Sequence, residues 1–317
     1  MNNYSDNREF SLNPFRGFDD ESEALFNANA PFWHLCTPGD AVEIIFTNDD
    51  EFRHGVTILA ICLLEFPGLK IYSFQLMNNH IHIILSGPED DCYSLFERFK
   101  RRLLIYLSNS GRTVDMSGFK AKALSINDLK ALRSEIIYTH RNGYVVHPED
   151  TPYSYRWGSN LYYFSAARDY FRFEPYLSLT YRAKRDLTSS RVVEFPDDYL
   201  VCDGMISPVS FCSISEGERY FKSGHQYFSL LSKNFEAYSQ VAKTLGDKVF
   251  MTDDELYSAA KLECKKRYSA GNPLELSGDA KIELARILHN GYNASNRQLK
   301  SILKLPPAVL NELFPLG

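Results

Sequence analysis

The sequence predicts an α+β fold, on three observations. Apolar residues alternate between a period of two and a helical period along residues 31–143. Two alternating segments flank Asn78-Asn79, a dipeptide suited to a tight turn. With 44% apolar and 24% charged residues in 317, and little Gly or Pro, the chain can bury a core without staples. That balance excludes collagen-like and wholly disordered classes.

The elements follow in order. Residues 1–30 are acidic, with Phe10, Phe15, Phe18 and Phe26 at no clear period, and are expected to form an irregular arm. PFWHLCT (31–37) reads as a strand, and 49–65 as a helix burying Val56, Leu59, Ala60, Leu63 and Leu64 before Pro67-Gly68 stops it. KIYSFQL (70–76) and HIHIIL (80–85) alternate and form a hairpin. Residues 90–108 make a helix with Phe96, Phe99, Leu103 and Leu107 on its buried side. FKAKALSI (119–126) is a fourth strand, and Asn127 can cap a helix running through Leu129, Leu132 and Ile136 to a stop near Gly143. The order β-α-β-β-α-β-α gives, most simply, a ferredoxin-like split βαβ sheet with helices on one face and one added helix.

Composition shifts near residue 160, where an aromatic-rich stretch begins and a second, mainly helical domain is expected. Residues 161–250 read as linker and helical region, with a β-prone patch from Arg191 to Phe211. Residues 251–317 read as a helix-turn-helix-like tail, in which Ser295 caps NRQLKSIL and Pro306-Pro307 opens AVLNELF. The last of these helices has no Lys or Arg; Arg297, Lys300 and Lys304 sit just before it.

Net charge is −5, which argues at first against a nucleic-acid partner. Residues 1–51, however, hold 11 Asp and Glu against Arg8 and Arg16, leaving 33 basic and 29 acidic groups in the remainder. The acidity belongs to the leading segment. Six cysteines without a C-x-x-C pair fit a reducing compartment. The first ten residues lack signal-peptide character and no apolar run is long enough to span a bilayer, so a soluble, cytoplasmic protein is expected.

Chemistry concentrates at Asn79-His80-Ile81-His82-Ile83-Ile84-Leu85. Strand alternation puts His80 and His82 on one face, roughly 7 Å apart along the strand, and Ile81, Ile83 and Leu85 on the other. The apolar face should meet the helices, leaving the imidazoles on the open side, where they could share a divalent ion or simply be satisfied by polar neighbours. The last helix of the first half adds Tyr138-Thr139-His140-Arg141-Asn142, in which Tyr138 and Asn142 stack at i and i+4. Tyr138 lies about 200° around the helix from Ile136, away from the apolar stripe. A basic face on the second helix, with Arg98, Lys100, Arg101 and Arg102, could follow a phosphate backbone or merely be solvated.

The hairpin MNNHIHIILSG, followed some fifty residues later by YTHRNGYVVHPEDTPYSYRWGS, resembles single-tyrosine HUH transposases of the insertion sequence 200 type, and especially the REP-associated tyrosine transposases. The likeness covers about residues 31–158. It implies that His80 and His82 are metal ligands, Asn142 the third ligand and Tyr138 the nucleophile, in a DNA nuclease and strand transferase that forms a 5′-phosphotyrosine link. The family's proline after the asparagine is Gly143 here, and its hydrophobic residue after the tyrosine is Thr139. Two imidazoles, an amide oxygen and water suit Mg²⁺ or Mn²⁺. The cation, His140 or Arg141 would favour the phenolate, and Arg141 joins Arg98, Lys100, Arg101 and Arg102 as a candidate DNA contact. The expected partner is single-stranded or hairpin DNA, bound by a homodimer or a monomer. One rival expectation is a non-catalytic, domesticated regulator that only holds hairpin DNA; another is an unrelated His-based metallohydrolase.

Overall fold

The computed structural model describes residues 16–37, 44–146, 155–165, 171–189, 192–233, 253–292 and 294–315. The chain divides into two compact units, Met1–Asn234 and Phe235–Gly317. Secondary structure is mixed α and β. Among the described residues no helix is long and apolar enough to cross a membrane.

The first unit opens with a helix, α1 (Arg16–Asn29), where an irregular arm is expected from the scattered phenylalanines. Phe26 explains the difference: its ring stacks on Phe32 at 4.9 Å, so the segment is ordered by a contact outside itself. Then come β1 (Phe32–Cys36), α2 (Asp49–Leu63), β2 (Lys70–Leu76), β3 (Ile81–Ser86), α3 (Glu89–Asn109), β4 (Lys122–Ile126) and α4 (Leu129–Val146). Local chemistry sets several boundaries. Asn48 caps α2 by accepting from the Glu51 amide, and Met77 N donates to His80 O to close the hairpin at 2.8 Å. Asp128, rather than the expected Asn127, caps α4, its carboxylate accepting from Ala131 N at 2.7 Å. Gly143 does not stop that helix, which runs on to Val146.

The four strands lie in the order β2-β3-β1-β4, every neighbour antiparallel. Helices cover both faces, so the open side expected from the sequence does not exist. Leu76, Ile81, Ile83 and Leu85 face the layer of α2 and α3; α2 comes close because a side chain at Gly55 would stand 2.9 Å from Leu76 and 2.7 Å from Phe46. On the other face α4 crosses β1, β3 and β2, with Glu135 bonded to His34 and His140 to Ser73. A single alternating strand thus supplies two interiors of opposite chemistry.

Residues after 155 do not begin a separate body. Leu76 N donates to Trp157 O, Ser159 N to Phe74 O, and Gly158 bridges Gln75, so residues 157–159 run along the outer edge of β2. The composition change at 160 therefore marks a wrapping segment, and the unit continues to Asn234. It adds a small antiparallel sheet of β5 (Glu174–Pro175), β6 (Leu200–Cys202) and β7 (Met205–Ile206), then α5 (Tyr181–Thr188), α6 (Pro208–Phe211), α7 (Ile214–Glu218) and α8 (Gly224–Lys233).

The second unit is helical: α9 (Asp253–Tyr268), α10 (Gly278–Tyr292), α11 (Asn296–Leu303) and α12 (Pro307–Leu313). Ser295 and Gln298 form a reciprocal capping box at α11, and Leu284, Leu288, Leu299, Leu303 and Leu310 are buried.

Candidate functional site

The site grows from the polar face of the sheet. Cys36 on β1 lies directly opposite His82 on β3, and His34, two residues earlier, projects to the same side. All three are buried. His34 Nε2 is 3.0 Å from His82 Nδ1, and the three donor atoms lie within 4.8 Å of one another, a cluster that could hold a metal ion. His80 sits in the turn before β3, half-buried, with Nδ1 at 2.8 Å from Asn79 Oδ1. Its ring lies 5.1 Å from that of His82, closer than the spacing along a strand, because the two rings lean together edge to face.

Helix α4 completes the roof. Residues 135, 138 and 142 share one face at i, i+3 and i+7. Glu135 Oε2 is 2.7 Å from His34 Nδ1. The Tyr138 ring lies 5.4 Å from His82 and 5.9 Å from His34. Tyr138 is fully buried yet stands outside the contiguous apolar core, in keeping with its direction away from the apolar stripe of the helix. Asn142 is buried one helical turn beyond it.

Protonation follows from these contacts. A carboxylate can only accept, so Nδ1 of His34 carries the proton that Glu135 receives. In the tautomer in which His34 Nε2 accepts from Nδ1–H of His82, 3.0 Å away, the lone pair of His82 is on Nε2. Burial, with a smaller contribution from the neighbouring His80 and His34, holds the His82 pKa well below the ordinary imidazole range, so the ring is neutral and able to ligate.

No family model, curated protein or solved structure matches the chain. The geometry must carry the functional reading alone.

Of the residues singled out by sequence, the fold gathers His80, His82 and Tyr138 into one cluster and buries Asn142 on the same helix face as Tyr138. The basic residues go elsewhere. Arg98 and Arg102 pair with Glu65, and Lys100 donates to Phe119 O at 2.7 Å; with the exposed Arg101 they belong to α3, across the sheet from Tyr138. Arg141 is 1% exposed and donates to Leu231 O at 2.9 Å, so it ties α4 to α8 and presents no surface for a DNA backbone. His140 is likewise internal. Its nitrogens meet Tyr227 Oη at 2.8 Å and Ser73 Oγ at 2.9 Å, and burial lowers its pKa to about 3. It is a neutral hub between α4, β2 and α8. The Pro148-Glu149-Asp150 stretch lies outside the described residues.

Three residues of the site were not singled out from the sequence: His34, Cys36 and Glu135. Their signal was present in the polar alternation His34-Leu35-Cys36 of β1, and in the spacing of three that puts Glu135 beneath Tyr138.

Proposed function

We propose that the chain is a single-tyrosine DNA nuclease and strand transferase of the HUH type, acting on structured single-stranded DNA from the cytoplasm. One observation carries the reading: the Tyr138 ring packs against His82 at 5.4 Å, although 56 positions of sequence separate them. The strand order β2-β3-β1-β4 supports it, since this is the order of a ferredoxin-like split βαβ sheet with two crossover helices on one face.

In this reading Tyr138 Oη attacks the scissile phosphorus. A Tyr138 Oη–P bond forms, the P–O bond to the 3′ oxygen breaks, and the leaving oxygen takes a proton to become a free 3′-OH. The phosphotyrosine retains the bond energy, so a second 3′-OH can reverse the step onto another strand without ATP. The phenol must lose its proton first; the His34 ring, bonded to Glu135 and 5.9 Å from the tyrosine ring, would be the base that takes it. His80, His82 and Asn142 would hold Mg²⁺ or Mn²⁺, nitrogen and amide oxygen donors compatible with either. When bound, such an ion neutralises charge on the phosphate and polarises it.

A second reading, a non-catalytic regulator that only holds hairpin DNA, draws on the full burial of Tyr138. Nicking a hairpin oligonucleotide in Mn²⁺ decides between them. The nuclease gives cleavage and a covalent protein–DNA adduct that survives denaturing electrophoresis, and Tyr138→Phe loses both while still binding DNA. A Tyr138→Phe protein that nicks at the wild-type rate removes the nucleophile, and with it this proposal.

A further inference from the structure

The cluster on the polar face contains a donor that Mg²⁺ chemistry does not use. We propose that His34, Cys36 and His82 form a binding site for one divalent ion of the zinc class. The site shares His82 with the proposed nuclease centre but does not depend on that activity.

Three observations converge. The first is placement: Cys36 and His82 are cross-strand partners, His34 is on the same side of the same strand as Cys36, and all three are 4% exposed or less. The second is spacing. His34 Nε2 and His82 Nδ1 are 3.0 Å apart, and one ring nitrogen of each histidine and Cys36 Sγ lie within 4.8 Å of one another. A tetrahedral ion with bonds of about 2.0 to 2.3 Å needs nitrogens and sulfur roughly 3.3 to 3.7 Å apart. Shifts of about an ångström therefore convert the imidazole–imidazole hydrogen bond into two ligand bonds. The third is the outer partner. Glu135 holds His34 Nδ1 at 2.7 Å, which fixes the tautomer that offers Nε2 to a metal, as carboxylates behind metal-bound histidines commonly do.

The donor set selects the ion. Two imidazoles and a thiolate favour Zn²⁺, Co²⁺ and similar borderline or soft cations, whereas Mg²⁺ and Mn²⁺ prefer oxygen. Three protein ligands leave a fourth position for water or a ligand oxygen, the pattern of reactive rather than closed structural zinc. Binding releases the Cys36 thiol proton to solvent, and His82, ligating as a neutral imidazole through Nδ1, carries its single N–H on Nε2 instead of Nδ1. With hydrogen on Nε2, His82 can no longer ligate from that side. The zinc-class ion and a Mg²⁺ or Mn²⁺ ion held through His82 Nε2 thus exclude one another.

Titration of the reduced, metal-stripped full chain with Co²⁺ tests the site, followed by absorbance. The expected result is one Co²⁺ per chain, tetrahedral visible bands and a near-ultraviolet thiolate-to-cobalt charge-transfer band, all bleached by one equivalent of Zn²⁺. Cys36→Ala and Cys36→Ser abolish the charge-transfer band, Glu135→Gln weakens Co²⁺ binding about ten- to hundredfold, and His80→Ala leaves the spectrum intact. Melting curves of the stripped variants show whether the loss is of ligand or of fold; the serine variant, nearly isosteric, keeps the test valid if alanine unfolds. No Co²⁺ binding by the wild type, binding without the charge-transfer band, or a spectrum lost on His80→Ala but not on Cys36→Ser overturns the assignment. The nicking assay is independent of these outcomes, so either proposal can fail while the other stands.

Discussion

The two faces of the four-stranded sheet are both buried but differ in chemistry. Toward α2 and α3 the strands present Leu76, Ile81, Ile83 and Leu85, ordinary apolar packing. Toward α4 they present His34, Cys36, Ser73, Gln75 and His82, equally buried. Apolar side chains would stabilise the second interface at least as well, because burying polar groups costs free energy unless each is bonded. The contrast teaches where packing ends as an explanation: one face accounts for the fold, and the other needs a chemical reason to exist.

That contrast can be broken by experiment, beginning with the largest effect. Tyr138→Phe removes one oxygen from the polar side; nicking should fall by at least about a thousandfold while unfolding free energy changes by about 1 kcal/mol or less. Parallel losses of activity and stability would erase the distinction. Leu85→Ala, on the apolar side, should show the reverse, a loss of about 2 to 5 kcal/mol in urea unfolding with the nicking rate of the folded fraction retained.

A smaller effect concerns pH. His140 has a folded-state pKa of about 3 against an ordinary value of 6.5. Below pH 6.5 the unfolded chain takes up a proton that the folded chain refuses, so stability is lost as pH falls between these values, by about 1.4 kcal/mol per pH unit for each such group. His82 acts in the same direction. His140→Gln should remove one proton's worth of that slope, and urea midpoints measured from pH 7 to pH 4 would show it; equal slopes would mean that His140 is not buried in its neutral form. The smallest effect belongs to the outer surface of α3. Arg98→Ala should change stability by no more than about 0.5 kcal/mol, since its pair with Glu65 is solvent-exposed, and should leave nicking unchanged. A nicking defect there would bring DNA to the side of the molecule away from Tyr138.

Much of this architecture was legible from local pattern. The hairpin 70–85, both crossover helices and the helices of the second unit follow from periodicity and capping residues that act within a few positions. What escaped depended on distant contacts. Nothing in residues 16–29 announces that Phe26 will find Phe32, and nothing near Trp157 shows that its carbonyl will meet the Leu76 amide. The site was half legible for the same reason. His80, His82 and Tyr138 stand out by motif, whereas His34 and Cys36 gain meaning only from the register that sets β1 against β3. The burial of Arg141 came from α8, whose carbonyl at Leu231 it serves some ninety residues away.

The strap along β2 carries one more implication. Gly158 lies so near the strand that a methyl group there would sit 2.6 Å from Gln75 Cγ and 2.8 Å from Phe74 O. That flank of the sheet already has its amides and carbonyls matched, and offers nothing for another polypeptide to zip onto. The opposite flank, at β4, has no further strand beside it among the described residues. Among the described residues, a strand added to this four-stranded sheet would therefore pair with Lys122–Ile126.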